Sequence, residues 1–138
     1  MNVHRWPVRV YYEDTDLAGV VYYANYLRFI ERARSEMLRA AGIDQTALKA
    51  AGTVFAVRRI EADYLAPARF DDALTVETAP EAAGLARLVL VQRVLRGDAL
   101  LFEARVTVVA IGPAGRAVRL PAALARLMDS AGVSGDIS

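Results

Sequence analysis

The chain has 138 residues, 55% of them hydrophobic and 24% charged, with a net charge of +1. That is the composition of one globular domain, with no length for a second core. It contains no Cys and one His, His4, which excludes disulfide frameworks, thiolate chemistry and Cys- or His-based metal sites. The near-zero net charge argues against nucleic acid or an anionic membrane as the principal partner. All basic residues but Lys49 are Arg, so a surface Arg by itself carries little meaning.

The N-terminus has no apolar stretch before a small-residue cleavage site, so a secretory signal is not expected and a cytoplasmic protein is. The uncharged run 17–27 is too short, and too rich in Tyr, Gly and Asn, to span a bilayer. Trp6, Val8, Val10 and Tyr12 alternate with Pro7, Arg9, Tyr11 and Glu13, the pattern of a first strand with one apolar face. Residues 13–19 break the alternation. A helical period then sets in from Tyr22, with Tyr22, Tyr26, Phe29, Ile30, Ala33, Met37 and Ala40 or Ala41 on one stripe, and with Arg32 and Glu36 placed to pair one turn apart. Gly42 followed by Ile43 reads as a left-handed helix stop, and Asp44 as the cap of a short helix over 45–51. Four strands are expected next, over 53–66, 73–79, 85–95 and 100–111, with a hairpin turn at Arg96-Gly97-Asp98 and with 85–95 as an apolar edge that invites association unless paired. Leu100, Phe102, Ala104, Val106, Val108 and Ala110 form the inward face of the last strand. Pro121 opens a short C-terminal helix over 121–128, and residues 132–138 form a frayed, disordered tail beyond a single domain over 1–131. One long helix and about five strands without further long helices is an α+β pattern, a helix laid on an antiparallel sheet that wraps around it.

The densest polar feature is Glu13-Asp14-Thr15-Asp16, just ahead of Gly19 and the helix start. Backbone N–H groups at a helix start lack intrahelical partners and carry partial positive charge, so they can hold an oxyanion. A carboxylate beside them could act as nucleophile or general base on an acyl group. The plainer reading is that the acids cap the helix or solvate a loop, as an isolated D-x-D usually does. Asp71-Asp72 reads as a turn or cap ahead of a strand. Five of the six Tyr fall between Tyr11 and Tyr26, and at such spacing rings are more often core than pocket lining.

The longer string Y-x-D-T-D-x-x-G-V-V-Y-x-A-x-Y-x-x-x-x-E-R-A-R resembles the signature of hotdog-fold acyl-CoA thioesterases of the 4-hydroxybenzoyl-CoA thioesterase family. The wording from Trp6 to Asp16, then Phe29-Ile30-Glu31-Arg32-Ala33-Arg34, is most similar to the branch associated with the Tol–Pal system. Tyr64-Leu65-Ala66-Pro67-Ala68-Arg69-Phe70-Asp71-Asp72 matches as well, and the resemblance extends over residues 6–121. It implies a hotdog fold, a curved sheet of about five antiparallel strands around one long central helix. It also implies a homo-oligomer, a dimer or a tetramer built from two dimers, with the acyl pocket completed by a second chain. The implied activity is hydrolysis of acyl-CoA without a cofactor or metal, coenzyme A being part of the substrate and acyl carrier protein a possible further partner. Residue by residue, the resemblance gives Asp16 as the catalytic carboxylate, the Tyr23 backbone amide as the group that polarises the thioester carbonyl, and Tyr12 as a neighbour of the active site. Gly19, Val20 and Val21 fall in the turn that presents the helix to the substrate. Arg87, Arg116 and Arg119 are candidates for the CoA phosphates, which suit bidentate guanidinium contacts. Many members of the branch carry His where this chain has Tyr23, so a scheme that needs imidazole there is closed to it. Two rivals remain: a hotdog dehydratase, for which His4 is badly placed, and a non-catalytic acyl-CoA or acyl carrier protein binder in an envelope complex.

Overall fold

A computed structural model describes residues 3–130; the tail expected over 132–138 lies outside them. Five strands, β1 (His4–Arg9), β2 (Val54–Tyr64), β3 (Ala73–Ala83), β4 (Arg87–Arg96) and β5 (Ala99–Ile111), form one antiparallel sheet in the order β1-β3-β4-β5-β2. The long helix α1 (Asn25–Ala40) packs on β1, β3 and β4, while the short α2 (Gln45–Ala50) leads into β2 and α3 (Ala122–Ser130) follows the sheet. This is the hotdog architecture. No helix among the described residues is long and apolar enough to cross a membrane.

Tyr26, Phe29, Ile30, Ala33 and Met37 are all buried, as the stripe requires, and Leu38 joins them. They meet inward residues of alternate parity: Leu74 and Val76 on β3, Leu88, Leu90 and Val94 on β4, Phe102, Ala104, Val106 and Ala110 on β5. The opposite sheet face is charged. Arg5 pairs with Glu77 at 3.1 Å and Arg93 with Glu103 at 2.5 Å, and Glu77 stands beside Arg93 in the β3–β4 register. The helix stops as expected: Gly42 takes φ +80°, its N–H donates to Arg39 O and the Ile43 N–H to Leu38 O, both at 3.0 Å. Asp44 caps α2 through the Thr46 and Ala47 amides.

Several expectations give way. The helix begins at Asn25 rather than Tyr22, because residues 20–22 are drawn into pairing with neighbouring backbone. Glu36 pairs with Arg39 instead of Arg32. The first strand ends at Arg9, so Tyr12 opens a single 3₁₀ turn instead of extending the strand. The third strand runs past Pro80 to Ala83, since a register shift between Pro80 and Ala82 lets the ladder absorb the missing N–H. A similar irregularity at Val94/Leu95 turns Leu101 inward and leaves Leu100 half-buried. The segment 85–95, read as an apolar edge, is instead the central strand; the edges are β1 and β2. Among the five clustered Tyr only Tyr26 is core, with Tyr11, Tyr12, Tyr22 and Tyr23 exposed.

Candidate active site

The acidic segment folds into a small hairpin pinned on both sides. Before it, Val10 exchanges backbone hydrogen bonds with Asp71 and Asp72, each at 2.9 Å. The 3₁₀ turn Tyr12–Asp14 is closed by the Asp14 carboxylate, which accepts the Tyr11 amide at 2.8 Å. Thr15 then pairs with Val21 across the tip Asp16-Leu17-Ala18-Gly19. The Asp16 N–H donates to Val20 O and the Gly19 N–H to Asp16 O, at 2.9 and 3.0 Å. Gly19 sits at φ +78°, a left-handed conformation that most side chains resist and that lets the strand return so tightly. Val20 and Val21 dock on the segment after β2: Val20 pairs with Arg69, and the Val21 N–H donates to Ala68 O at 2.8 Å.

That segment is held by Asp72, which confirms the turn role expected for Asp71-Asp72. Asp72 Oδ2 accepts the Arg69 N–H at 2.9 Å and Arg96 Nη1 at 2.8 Å. Its partial burial works to raise the carboxyl pKa, but the Arg69 amide and the Arg96 guanidinium outweigh that and hold it below the usual carboxylate range. Asp71 itself takes φ +69°, which short polar side chains tolerate in turns.

Asp16 is exposed, and its two carboxylate oxygens differ. Oδ1 accepts the Ala18 N–H at 2.9 Å, while Oδ2 has no protein partner among the described residues. The side chain is therefore held at one oxygen and open at the other. Beyond the hairpin, Tyr22 N–H donates to Asp14 O at 2.9 Å, and the next two amides, of Tyr23 and Ala24, have no partner among the described residues. They precede α1 directly, at its positive end. The Tyr23 carbonyl accepts the Tyr64 hydroxyl at 2.9 Å, which fixes the peptide that follows Tyr23. Beneath it, Tyr26 stacks on Phe102 with ring centroids 5.0 Å apart and its hydroxyl accepts the Ala68 N–H at 3.0 Å. Burial keeps the Tyr26 and Tyr64 phenols above their ordinary range; Tyr22 is raised chiefly by its hydrogen bond with Tyr23. Val20, Val21, Tyr23, Tyr26, Tyr64 and Leu65 line a shallow open cavity of about 260 Å³.

The structure thus gathers Asp16, Gly19, Val20, Val21 and Tyr23 at one end of the sheet. Tyr12 lies on the same loop, highly exposed, edge-on to Phe70 with centroids 6.3 Å apart. Arg87 and Arg119 are not there. Arg87 opens β4, whose far end at Arg96 adjoins the Asp72 turn, so about 30 Å of strand separates the two ends at roughly 3.3 Å per residue. Arg116 and Arg119 lie on the loop after β5, on that same distant side, where Leu120 N–H donates to Leu85 O. Sequence reading missed Asn25 and Tyr64 as supports of the loop, and missed a buried polar cluster of Arg34, Thr78 and Gln92. The signal for the cluster is readable in parity: Thr78 follows Leu74 and Val76, and Gln92 falls between Leu90 and Val94, both at inward positions.

A long helix laid on a five-stranded antiparallel sheet is the hotdog arrangement, and likeness to known proteins places this one in the thioesterase class. The chain belongs to the thioesterase-like superfamily, whose family model matches residues 10–128. It is 50% identical over 113 residues to the acyl-CoA thioester hydrolase YbgC of Escherichia coli O6:H1, covering 81% of this chain and 84% of that one. It is 43% identical over 111 residues to the acyl-CoA thioesterase YbgC of Haemophilus influenzae, covering 80% and 82%. A crystal structure of a probable thioesterase from Bartonella henselae superposes with a TM-score of 0.82 at 40% identity, covering 87% of this chain and all of that one.

Proposed function

We infer that this protein hydrolyses acyl-CoA thioesters to the free acid and CoA, with Asp16 as the catalytic carboxylate. The observation that carries the reading is the pairing of a carboxylate with a free Oδ2 and the unpartnered Tyr23 and Ala24 amides at the start of α1. A thioester carbonyl has weak resonance stabilisation and a good leaving group. Whether Asp16 attacks it directly or removes a proton from water, negative charge builds on the carbonyl oxygen, where the amides stabilise it; one such donor is typically worth about 3–4 kcal/mol of barrier. The thiolate of CoA leaves as the tetrahedral intermediate collapses; on the direct route the mixed anhydride left on Asp16 is then cleaved by water, which releases the acid and restores the carboxylate. A protein that only binds acyl-CoA has no use for an open carboxylate beside oxyanion donors. The test is a panel of acyl-CoAs of varied length and aromaticity, assayed by trapping the released thiol. Acyl carrier protein thioesters present the same pantetheine arm and belong in the same panel.

The site is completed by a second copy. Among the two edges β1 is short and contains Pro7, whereas β2 has eleven residues, no Pro, and exposed Val54 and Val57; such an edge invites a partner strand. A two-fold axis through the middle of β2 makes the two edges antiparallel. That brings the Tyr64 end of one copy, with its Tyr23 and Asp16, to the Val54 end of the other. The Val54 end is where β5 finishes at Ile111 and the loop carrying Arg116 and Arg119 begins. The candidate phosphate-binding residues Arg87 and Arg119 then serve the partner's Asp16, which resolves their distance within one chain.

A further inference from the structure

Arg34 projects from the middle of α1 and is only 9% exposed, yet it forms no ion pair among the described residues. Its one hydrogen bond among the described residues runs from Nη1 to Gln92 Oε1, at 2.9 Å. Gln92 is itself fixed, since Nε2 donates to Ile30 O and to Thr78 Oγ1, both at 2.9 Å. A guanidinium has five N–H donors, so most of this one is unspent. Arginine is almost never this buried without a counter-charge, because the desolvation of a cation is otherwise uncompensated. Burial depresses its pKa, with Glu31 acting the other way, but a guanidinium remains protonated at neutral pH.

Arg34 also borders the cavity of about 290 Å³ between α1 and strands β2, β4 and β5, whose walls include Met37, Phe55, Leu90 and Leu124. The acid on that cavity is Glu31, exposed at its rim and not paired with Arg34. The site is therefore a cavity with apolar walls, a polar rim of Glu31, Ser35 and Gln45, and a guanidinium whose remaining N–H groups open onto it without a counter-charge among the described residues. In the antiparallel pair described above, the cavity lies at the Phe55–Val57 end of β2, next to the Asp16 of the other copy.

We propose that Arg34 determines acyl specificity by binding a carboxylate at the far end of the acyl chain, so that the preferred substrates are CoA monothioesters of short dicarboxylic acids. This rests on the hydrolase reading and on the paired β2 edges. The apolar walls take the methylenes, and the carboxylate gives Arg34 the counter-ion that the protein does not.

The test compares glutaryl-CoA with pentanoyl-CoA, which have the same chain length and differ at the terminal group. Wild type should favour glutaryl-CoA by at least about tenfold in kcat/KM, and Arg34→Met should reverse that order. Arg34→Lys should keep part of the preference. Glu31→Gln, which removes a negative charge from the rim, should widen it. Because Arg34→Met strips Gln92 of a donor and endangers the fold, the wild-type ratio and the Lys and Gln variants stand as independent readings. Equal or preferred turnover of pentanoyl-CoA by wild type overturns the proposal, as does a ratio that ignores Arg34→Lys and Glu31→Gln; either result would fit a counter-ion supplied by the second copy. Failure to hydrolyse either thioester defeats the hydrolase reading instead. Calorimetric titration of the protein with monomethyl glutarate and methyl pentanoate, whose ester groups stand for the thioester, then decides: tighter binding of monomethyl glutarate supports the Arg34 assignment, and equal or absent binding overturns it.

Discussion

The side-chain amide of Asn25 donates to the carbonyl oxygen of Asp14 at 2.9 Å, tying the first residue of α1 to the acidic turn ahead of Asp16. The same carbonyl accepts the Tyr22 amide, so one oxygen joins the hairpin and the helix start. Asn25→Leu should remove half of that junction. The expected cost is about 1 kcal/mol of stability and a roughly tenfold fall in kcat, seen by urea denaturation and steady-state assay; unchanged kcat with lowered stability would show that the bond is only structural.

Asp16→Asn keeps the shape of the side chain and an oxygen for the Ala18 amide, so the hairpin should persist. It loses the basic Oδ2. Hydrolysis should fall by about a hundred- to ten-thousandfold, while binding of CoA thioesters survives. Turnover within tenfold of wild type would remove Asp16 from the mechanism.

Asp72 links stability to pH. Its carboxyl is held below its ordinary range in the folded protein, so its contribution is present above the unfolded pKa of about 3.9 and disappears as pH falls through the lower folded value. Urea midpoints between pH 3 and pH 6 should decline at the acid end, and Asp72→Asn should flatten that decline. An equally steep acid limb in the variant would show that other carboxylates dominate.

What the sequence shows about this molecule follows the range of the interactions involved. The α1 stripe, the Gly42 stop and the Asp44 cap are local, and each is found where the 3.6-residue period and cap chemistry put it. The start of α1 depends on Val20 and Val21 pairing with Ala68 and Arg69, almost fifty residues away, and no local period reports that. Sheet order is equally non-local: β4 reads as an apolar run and β2 as apolar only at its start, and only the ladder makes one central and the other an edge. For the site, motif resemblance names Asp16 and Tyr23. The free Oδ2, the Tyr64 hydroxyl on the Tyr23 carbonyl and the buried Arg34 are tertiary facts, and of these only the cluster around Arg34 leaves a trace, in its partner Gln92 and Gln92's own partner Thr78, polar residues at inward parity.

Assembly should follow from the β2 edge. Light scattering is expected to report at least a dimer, and specific activity should fall on dilution as copies separate. An active monomer at assay concentration would end the shared-site account.

The residue at position 23 separates two mechanisms. Its amide has no partner among the described residues and its carbonyl is held by the Tyr64 hydroxyl, so the backbone N–H is open and fixed in place whatever the side chain. The phenol ring is exposed, lying against Tyr22 and Tyr64 with centroids 4.9 and 6.3 Å away. Tyr23→Phe keeps the ring and the amide and removes only the hydroxyl, so kcat/KM should stay within tenfold of wild type. If the hydroxyl itself were the catalytic hydrogen-bond donor, its loss should cost about 1.5–3 kcal/mol, roughly ten- to over a hundredfold. Tyr12→Phe is the control, because Tyr12 is on the same loop and even more open to solvent. Tyr64→Phe completes the set: it frees the Tyr23 carbonyl without touching position 23, and a fall in kcat there, with Tyr23→Phe mild, locates the catalytic contribution in the backbone. A loss above a hundredfold for Tyr23→Phe alone, with the fold intact, assigns it to the side chain and overturns the amide account.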